Sequence, residues 1–212
     1  RGKFDQEKFD YLVATKKDYD TTTVSYIYTD KDSFSSEWER ECRGITFAPD
    51  GTILSRTLHK FFNLYEKESY LAKNLDFSEI KAIFPKLDGS MISSCLLDNR
   101  VLLKSKNSFS SDVAISAQSF IDIPENKEYI RFCRDLALRG LTPTFEYTSP
   151  QNRIVVSYDS EALTLLAIRD NVTGVYLDIH EESRSYDINV ITYAYDNTKS
   201  IEELVIEMES MI

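Results

Sequence analysis

The chain has 212 residues, 42% of them hydrophobic and 28% charged, and it carries a formal net charge of −10. These values predict one large folded domain, or one with a small appendage, and exclude a disordered or low-complexity chain. The acidic balance argues against a broad basic surface for nucleic acid, so any grip on nucleic acid must come from a local basic pocket.

The three cysteines and two histidines are too few and too scattered for a disulfide framework or a zinc cluster. We expect Cys42, Cys95 and Cys133 to be small buried side chains in a reducing compartment. No apolar run approaches the length of a transmembrane helix, and no signal-peptide pattern opens the chain. The sequence therefore predicts a soluble cytoplasmic protein with no membrane partner.

The first part of the chain combines one helical pattern with short strands. Apolar spacing over 5–16 predicts a helix, and β-branched and aromatic residues over 21–28 predict a strand. The turn signal Pro49-Asp50-Gly51 separates a strand at 44–47 from a second strand that begins at Thr52. These two strands form a predicted hairpin with Arg43 near its start.

The later part of the chain alternates strands with helices. Asn126 is a natural N-cap and Gly140 a natural C-terminal residue for one helix. Apolar spacing with a capping box predicts a last helix at 200–212. The other predicted elements are a hairpin of strands 91–97 and 101–105, a helix from about 112 to 121, strands 144–147, 154–158 and 162–169, and a further strand after a turn at 171–174.

The last predicted helix has no stop signal, because its apolar pattern runs to the final residue, Ile212. We therefore expect that the chain has been cut or that it continues in a partner. The alternative is that this end packs on its own core.

Lys86-Leu87-Asp88-Gly89-Ser90 stands directly before a predicted strand. The glycine permits a close backbone approach, and the acid can hold a cation or hydrogen-bond a sugar. The lysine can act on a phosphate as a point charge or as a nucleophile. The alternative is an ordinary turn, because Asp-Gly is a common turn dipeptide.

Four other residues have the chemical character that a phosphate site with a reactive lysine needs: Arg43, Lys60, Lys106 and Glu146. Arg43 could instead form a surface ion pair, and Lys60 could extend from a strand edge to solvent. Lys104 and Lys106 alternate with other residues at the strand end, so both could belong to a solvated strand face. Glu146 lies between aromatic residues, where a buried carboxylate needs a partner or a metal ion.

Taken together, these segments resemble the covalent nucleotidyltransferases, and among them the phage RNA ligase 1 family of the T-even type. The similarity extends from about residue 40 to 175. The segments that carry it, in family order and at similar spacing, are Glu41-Cys42-Arg43-Gly44-Ile45, Lys60-Phe61-Phe62-Asn63, Lys86-Leu87-Asp88-Gly89-Ser90, Lys104-Ser105-Lys106 with Ser108, Phe145-Glu146 and Asn152-Arg153-Ile154-Val155.

The resemblance implies an α+β fold, with antiparallel sheets and flanking helices around a nucleotide cleft. It implies that residues 1–212 form a nucleotidyltransferase (adenylation) domain that is incomplete at its C-terminal end. The implied activity is ATP-dependent joining of an RNA 5′-phosphate to a 3′-hydroxyl, with Mg²⁺ or Mn²⁺, as in RNA repair. If the source is a virus, the place of action would be the host cytoplasm.

The resemblance also implies catalytic roles for individual residues. Lys86 would attack the α-phosphorus of ATP and carry AMP. Asp88 would orient Lys86 or a metal-bound water, and Gly89 would allow close approach of the backbone. Glu146 would bind the ribose or a metal-bound water. Nearby cations would favour the neutral, nucleophilic form of Lys86.

Binding roles follow from the same resemblance. Arg43, Lys60 and Lys106 would hold the phosphates of ATP. Phe62 would pack against the Lys60 segment or the nucleoside. Arg153 would grip an RNA phosphate or brace its strand.

Two later elements of the family are missing from this sequence. One is a Glu-Gly followed by an apolar run, and the other is a Lys-x-Lys strand behind it; no glycine follows Gly174, and Lys199 is the only lysine after residue 127. A C-terminal segment or a partner chain would have to supply them in a truncated or split ligase. The alternatives are a degenerate, non-catalytic module that binds a nucleotide or an RNA end, a capping guanylyltransferase and a DNA ligase. The Lys60-Phe61-Phe62-Asn63 segment favours the RNA ligase over the capping enzyme.

Overall fold

The computed structural model describes residues 6–29, 33–76, 82–151 and 155–193, together with Glu203 and Ile206. The chain forms two compact units: Arg1–Lys60 with Leu87–Val190, and Phe61–Lys86 with Ile191–Ile212. Throughout the described ranges, every helix is too short or too polar to cross a membrane.

An antiparallel sheet of four strands, in the order β1-β2-β3-β4, occupies the N-terminal part of the first unit. Two short helices accompany it, and its buried core contains Val24, Cys42 and Ile45. The elements are α1 (Gln6–Leu12), β1 (Val13–Asp18), β2 (Thr21–Tyr26), α2 (Glu37–Glu41), β3 (Arg43–Phe47) and β4 (Ile53–Ser55).

The expected helix over 5–16 is wrong beyond Leu12. From Val13 onward the chain pairs with β2 in an antiparallel register, from Val13 opposite Tyr26 to Asp18 opposite Thr21. Tyr19 and Asp20 both have positive φ values, 48° and 55°, as the tight turns that suit a twisted hairpin require. Sheet hydrogen bonds therefore override the helical spacing here.

The hairpin predicted around Pro49-Asp50-Gly51 is confirmed. β3 and β4 are antiparallel, with Thr46 opposite Ser55. Gly51 has a φ of 86°, which glycine adopts without a side-chain clash. The hairpin places Arg43 at the first position of β3.

A second, larger sheet has the order β10-β8-β7-β5-β6, with β9 paired to β8. All its pairs are antiparallel except the parallel pair of β10 with β8. Its elements are β5 (Ser90–Leu97), β6 (Arg100–Lys104), α3 (Asp112–Asp122), α4 (Lys127–Leu138), β7 (Leu141–Thr148), β8 (Ala162–Asp170), β9 (Tyr176–Leu177), α5 (Ile179–Ser183) and β10 (Asn189–Val190). The predicted α+β class, the hairpin at 91–105 and the strand at 162–169 are confirmed.

Helices α3 and α4 cover an aromatic core on this sheet. Phe132 and Phe145 are fully buried, and their ring centroids are 6.4 Å apart. The Tyr129 hydroxyl donates to the carbonyl oxygen of Leu163 at 2.7 Å, which joins α4 to β8. Burial of these large side chains supplies the main driving force for packing.

The two ends of α4 differ in how well the sequence predicted them. Gly140 follows the helix with a φ of 72°, the left-handed conformation expected there. Asn126 does not cap the helix through its side chain. Its Nδ2 instead donates to the carbonyl oxygen of Phe120 at 2.7 Å, because 124–126 forms a separate 3-10 turn (Pro124–Asn126).

The strand expected at 154–158 is wrong over its described part, 155–158, which is irregular. The amides of Val155 and Val156 donate to the Asp88 carboxylate instead of a neighbouring strand. Of the helix expected at 200–212, the structure describes Glu203 and Ile206, and both are helical. Ser200 of the expected capping box, and Arg153, lie outside the described residues.

The described part of the second unit contains two short 3-10 turns, Glu68–Tyr70 and Ala72–Asn74. The ring of Phe62 lies 5.0 Å from that of Tyr70, and Lys67 Nζ lies 4.9 Å from the centroid of the Phe62 ring.

Candidate active site

The glycine of the lysine motif lies against the neighbouring strand β7. A Cβ atom on Gly89 would overlap the carbonyl oxygen of Tyr147, so no other residue fits without a backbone shift. The amide of Gly89 donates to Glu146 Oε1 at 3.0 Å. Glu146 therefore holds the backbone three residues after Lys86, whose side chain is exposed.

Asp88 joins the lysine motif to the irregular segment 155–158. Its Oδ2 accepts hydrogen bonds from the amides of Val155 and Val156 at 2.5 and 2.6 Å. Its own amide donates to the Tyr158 hydroxyl at 3.1 Å. The sequence did not single out Tyr158, because an aromatic residue at the end of a predicted strand carries no specific signal.

Lys106 lies close enough to Arg43 and Lys60 to form a cluster of positive charge with them. Burial, and then the charges of Arg43 and Lys60, lower the pKa of Lys106 to about 8. Its Nζ lies 3.5 Å from the centroid of the Tyr26 ring and donates to the Tyr26 carbonyl oxygen at 3.3 Å. The structure thus brings together the three cations that the sequence assigned to phosphates, in a half-buried position where their repulsion is felt.

The other two cations of this cluster are fixed by their own segments. An Nη1 donor of Arg43 reaches the carbonyl oxygen of His59 at 3.4 Å. The amide of Lys60 donates to the Arg40 carbonyl oxygen at 2.8 Å, and Lys60 Nζ lies 5.8 Å from the Phe34 ring centroid. A local concentration of positive charge therefore exists in a chain whose net charge is −10.

Lys104 is fully buried, so the alternative that it belongs to a solvated strand face is wrong. Its Nζ donates to the carbonyl oxygens of Gly44, Ser105 and Lys106 at 3.1, 3.0 and 3.3 Å. Burial lowers the pKa of Lys104 to about 8. Alternation along the strand could not reveal this, because the partners are backbone carbonyls from the other sheet and from the next turn.

A buried ion network lies at the other end of the Glu41-Cys42-Arg43 segment. Glu41 Oε1 contacts Arg169 Nη2 at 2.9 Å, and Glu41 Oε2 contacts Arg56 Nε at 3.0 Å. Hydrogen bonds from Arg169 and Arg56 lower the pKa of Glu41 against the opposing effect of burial, which is the largest single influence. Sequence reasoning missed Arg56 and Arg169, which carry no motif.

This network borders a cavity of about 740 Å³. Its wall also contains Phe9, Trp38 and the hydrogen-bonded pair of His59 Nδ1 and the Tyr176 hydroxyl, 2.7 Å apart. Among its lining residues in the described ranges, none belongs to the predicted site. The cavity is therefore separate from the cluster of positive charge.

Phe62, predicted to pack beside Lys60 or a nucleoside, contacts Tyr70 and Lys67 within its own unit. In the described ranges there is no group of three or more His, Cys, Asp or Glu side chains suited to a metal ion. Asp88 and Glu146 each accept hydrogen bonds from backbone amides, so the structure gives both a positioning role.

The chain is similar in sequence to RNA ligases. A family model described as RNA ligase matches residues 41–210. A provisionally named RNA ligase of Thermovibrio ammonificans is 35% identical over 162 residues, which are 76% of this chain and 42% of that protein. RNA ligase 1 of bacteriophage TS2126 is 30% identical over 163 residues, which are 73% of this chain and 40% of that protein. The chain thus spans less than half the length of these relatives.

The fold has a counterpart among solved structures. An archaeal ATP-dependent RNA ligase superposes with a TM-score of 0.57 at 14% sequence identity. The match covers 97% of this chain and 52% of that one. At this identity the likeness concerns the fold.

Proposed function

Because the chain belongs to the RNA ligase family, we propose that it is the nucleotide-binding part of an ATP-dependent RNA ligase. The proposed reaction joins an RNA 5′-phosphate to a 3′-hydroxyl at the expense of ATP. The observation that supports it most is the cluster of Arg43, Lys60 and Lys106, in which burial, and then the charges of Arg43 and Lys60, lower the pKa of Lys106. Such an arrangement is stabilised by an anion with several charges, such as a triphosphate.

In the first step, the neutral amine of Lys86 forms a nitrogen–phosphorus bond to the α-phosphorus of ATP and loses a proton to solvent. The bond from that phosphorus to the bridging oxygen breaks, and pyrophosphate leaves with the electron pair. An oxygen of the RNA 5′-phosphate then forms a bond to the same phosphorus, while the nitrogen–phosphorus bond breaks and the lysine nitrogen takes up a proton. In the last step the 3′-hydroxyl attacks that phosphate, a phosphodiester bond forms and AMP leaves.

Arg43, Lys60 and Lys106 would neutralise the phosphates of ATP and the charge that develops on the leaving pyrophosphate. Such chemistry depends chiefly on positioning and on electrostatic stabilisation of the transferring group. Lys106 has to be protonated for this role, and a pKa of about 8 keeps most of it charged at neutral pH.

Asp88 and Glu146 would set the geometry of the lysine motif. Glu146 acts through the amide of Gly89, and Asp88 acts through the amides of Val155 and Val156. Contacts of Glu146 with the ribose are part of the proposal, as are contacts of Phe62 with the nucleoside and of Arg153 with RNA. A Mg²⁺ or Mn²⁺ ion that enters with the triphosphate would supply further neutralisation, and it needs only one or two protein carboxylates, here Asp88 and Glu146.

The test is to incubate the chain with α-labelled ATP or GTP and a divalent cation, and to follow label bound to protein. We expect label from ATP that is lost in Lys86→Ala and kept in Lys17→Ala, a change at an exposed lysine of β1. Label from GTP alone would favour a capping enzyme. ATP binding without label would favour either a binding module or one part of a split ligase. Adding a downstream Lys-x-Lys segment would distinguish these two, because it should restore labelling only in a split ligase. Absence of binding by either nucleotide would refute the proposal.

A further inference from the structure

We propose that Lys104 is a positioning residue, whose buried ammonium fixes Arg43 and Lys106 relative to each other as a pair that binds phosphate. The inference rests on the proposed function, because it concerns the geometry of the same cations. The Lys104 side chain is fully buried, so its proposed role does not involve contact with a ligand.

The Lys104 ammonium donates to three backbone carbonyl oxygens. Lys104 Nζ donates to the carbonyl oxygen of Gly44, the residue after Arg43, and to that of Lys106 itself, at 3.1 and 3.3 Å. Its third partner is the carbonyl oxygen of Ser105 at 3.0 Å. One ammonium therefore connects the start of β3 with the turn that follows β6.

The two connected segments approach each other as closely as backbone allows. A Cβ atom on Gly44 would overlap the carbonyl oxygen of Lys106, and Gly44 has a φ of 94°, which glycine adopts without strain. The carbonyl oxygens of Gly44 and Lys106 both accept hydrogen bonds from the Lys104 ammonium. Charge-assisted hydrogen bonds of this kind are stronger than neutral ones, so the ammonium holds the two segments together.

Lys104 carries a charged group in a buried position that an apolar side chain could fill. Burial of a charge is costly unless hydrogen bonds compensate it, and an apolar side chain of similar length would fill the volume without that cost. The donors of Lys104 find backbone carbonyls as partners, and burial lowers its pKa to about 8. The ammonium is thus placed to order the backbone next to Arg43 and Lys106.

The test compares the affinities of the chain for ATP and for adenosine in Lys104→Met, which keeps length and volume but removes all three donors. We expect ATP binding to weaken about tenfold or more, because misplaced phosphate-binding groups lose much of their effect. Adenosine has no phosphates, so its affinity should stay within about twofold of the original value. A loss of stability alone would weaken both ligands equally.

Leu103→Ala is the matched control, because Leu103 is the buried neighbour of Lys104 in β6 and its side chain is apolar. It should lower the melting temperature but leave the ratio of the two affinities unchanged. Gly44→Ala is a second variant, which displaces the Lys106 carbonyl without touching Lys104. It should weaken ATP binding selectively too, and it decides the matter if Lys104→Met does not fold.

Selective loss of ATP affinity in Lys104→Met, or in Gly44→Ala where the first does not fold, supports the positioning role. An unchanged ratio of affinities in the folded variants would overturn it and leave the proposed function standing. If the unaltered chain binds no ATP, the proposed function itself fails. The two failures are therefore distinguishable in one set of titrations.

Discussion

Two clusters of cations flank the segment that leads into β3, and they differ in what surrounds their charges. Arg56 and Arg169 share the carboxylate of Glu41, with contacts of 3.0 and 2.9 Å. Burial, and then the charges of Arg43 and Lys60, lower the pKa of Lys106. The Glu41 carboxylate balances the charges of the first cluster within the fold, whereas the second cluster gathers like charges and, in the proposed function, binds the phosphates of ATP.

Removing the shared carboxylate should have the largest effect on stability. Glu41→Gln leaves Arg169, whose side chain is 4% exposed, without its ion pair. Breaking such a pair from one side costs about 3 kcal/mol, measurable as a lower free energy of unfolding in urea. The control is Glu182→Gln, which breaks the pair with the exposed side chain of Arg139 and should cost less than about 1 kcal/mol. Equal losses in the two variants would contradict the structural role of the first cluster.

Removing the central cation should have the opposite pattern. Lys106→Ala should slow the transfer of AMP to protein by about 100-fold, as loss of one electrostatic contact to a transition state does in other enzymes. The unfolding free energy should hold or rise, because repulsion with Arg43 and Lys60 is relieved. Lys17→Ala serves as the control. If Lys106→Ala loses stability but keeps its labelling rate, Lys106 has a structural role like that of Arg56 and Arg169.

A smaller, local effect is expected at Asp88. Asp88→Asn removes the charge that accepts the amides of Val155 and Val156. Those two amides should exchange with solvent roughly tenfold faster or more, because hydrogen bonds to a charged group contribute about 1.5–3 kcal/mol. Asp98→Asn, in an exposed turn, should leave them unchanged. Unchanged exchange in Asp88→Asn would show that the carboxylate does not hold this segment.

The sequence was sufficient for the parts of the fold that are specified locally. Hairpin turns such as Pro49-Asp50-Gly51 and the glycine at Gly140 have strong conformational preferences that act within a few residues. The strand expected at 154–158 was wrong because its amides pair with Asp88, which lies 67 positions earlier for Val155. The sequence also failed to show that Lys104 is buried, because its acceptors are backbone atoms that no side-chain pattern records.

For the candidate site, the sequence predicted the residues but only some of their contacts. Arg43, Lys60 and Lys106 were selected through family resemblance, and the structure brings them together. Asp88 and Glu146 were selected for contacts with substrate or metal, and the structure adds contacts with backbone amides. A sequence shows which side chains are charged or polar, whereas the groups that these side chains contact depend on the tertiary fold.

The pH dependence offers the most distinctive contrast between stability and binding. Burial lowers the pKa of Lys104, and burial with the charges of Arg43 and Lys60 lowers that of Lys106, each to about 8. The unfolded lysines titrate near pH 10.4, so between about pH 8 and 10 the unfolded state binds more protons. Stability should therefore rise with pH in this window, while affinity for ATP falls as the lysines lose charge. Parallel changes of both quantities would contradict these assignments.

The central proposal is that Lys86 carries AMP and that Arg43, Lys60 and Lys106 bind the phosphates of ATP. Its most direct test is to incubate the chain with ATP and Mg²⁺ and to locate any bound AMP by peptide mass spectrometry. The predicted result is one AMP on Lys86, reduced in Lys106→Ala and absent in Lys86→Ala. AMP on a different residue, or an unchanged amount in Lys86→Ala, would contradict the claim.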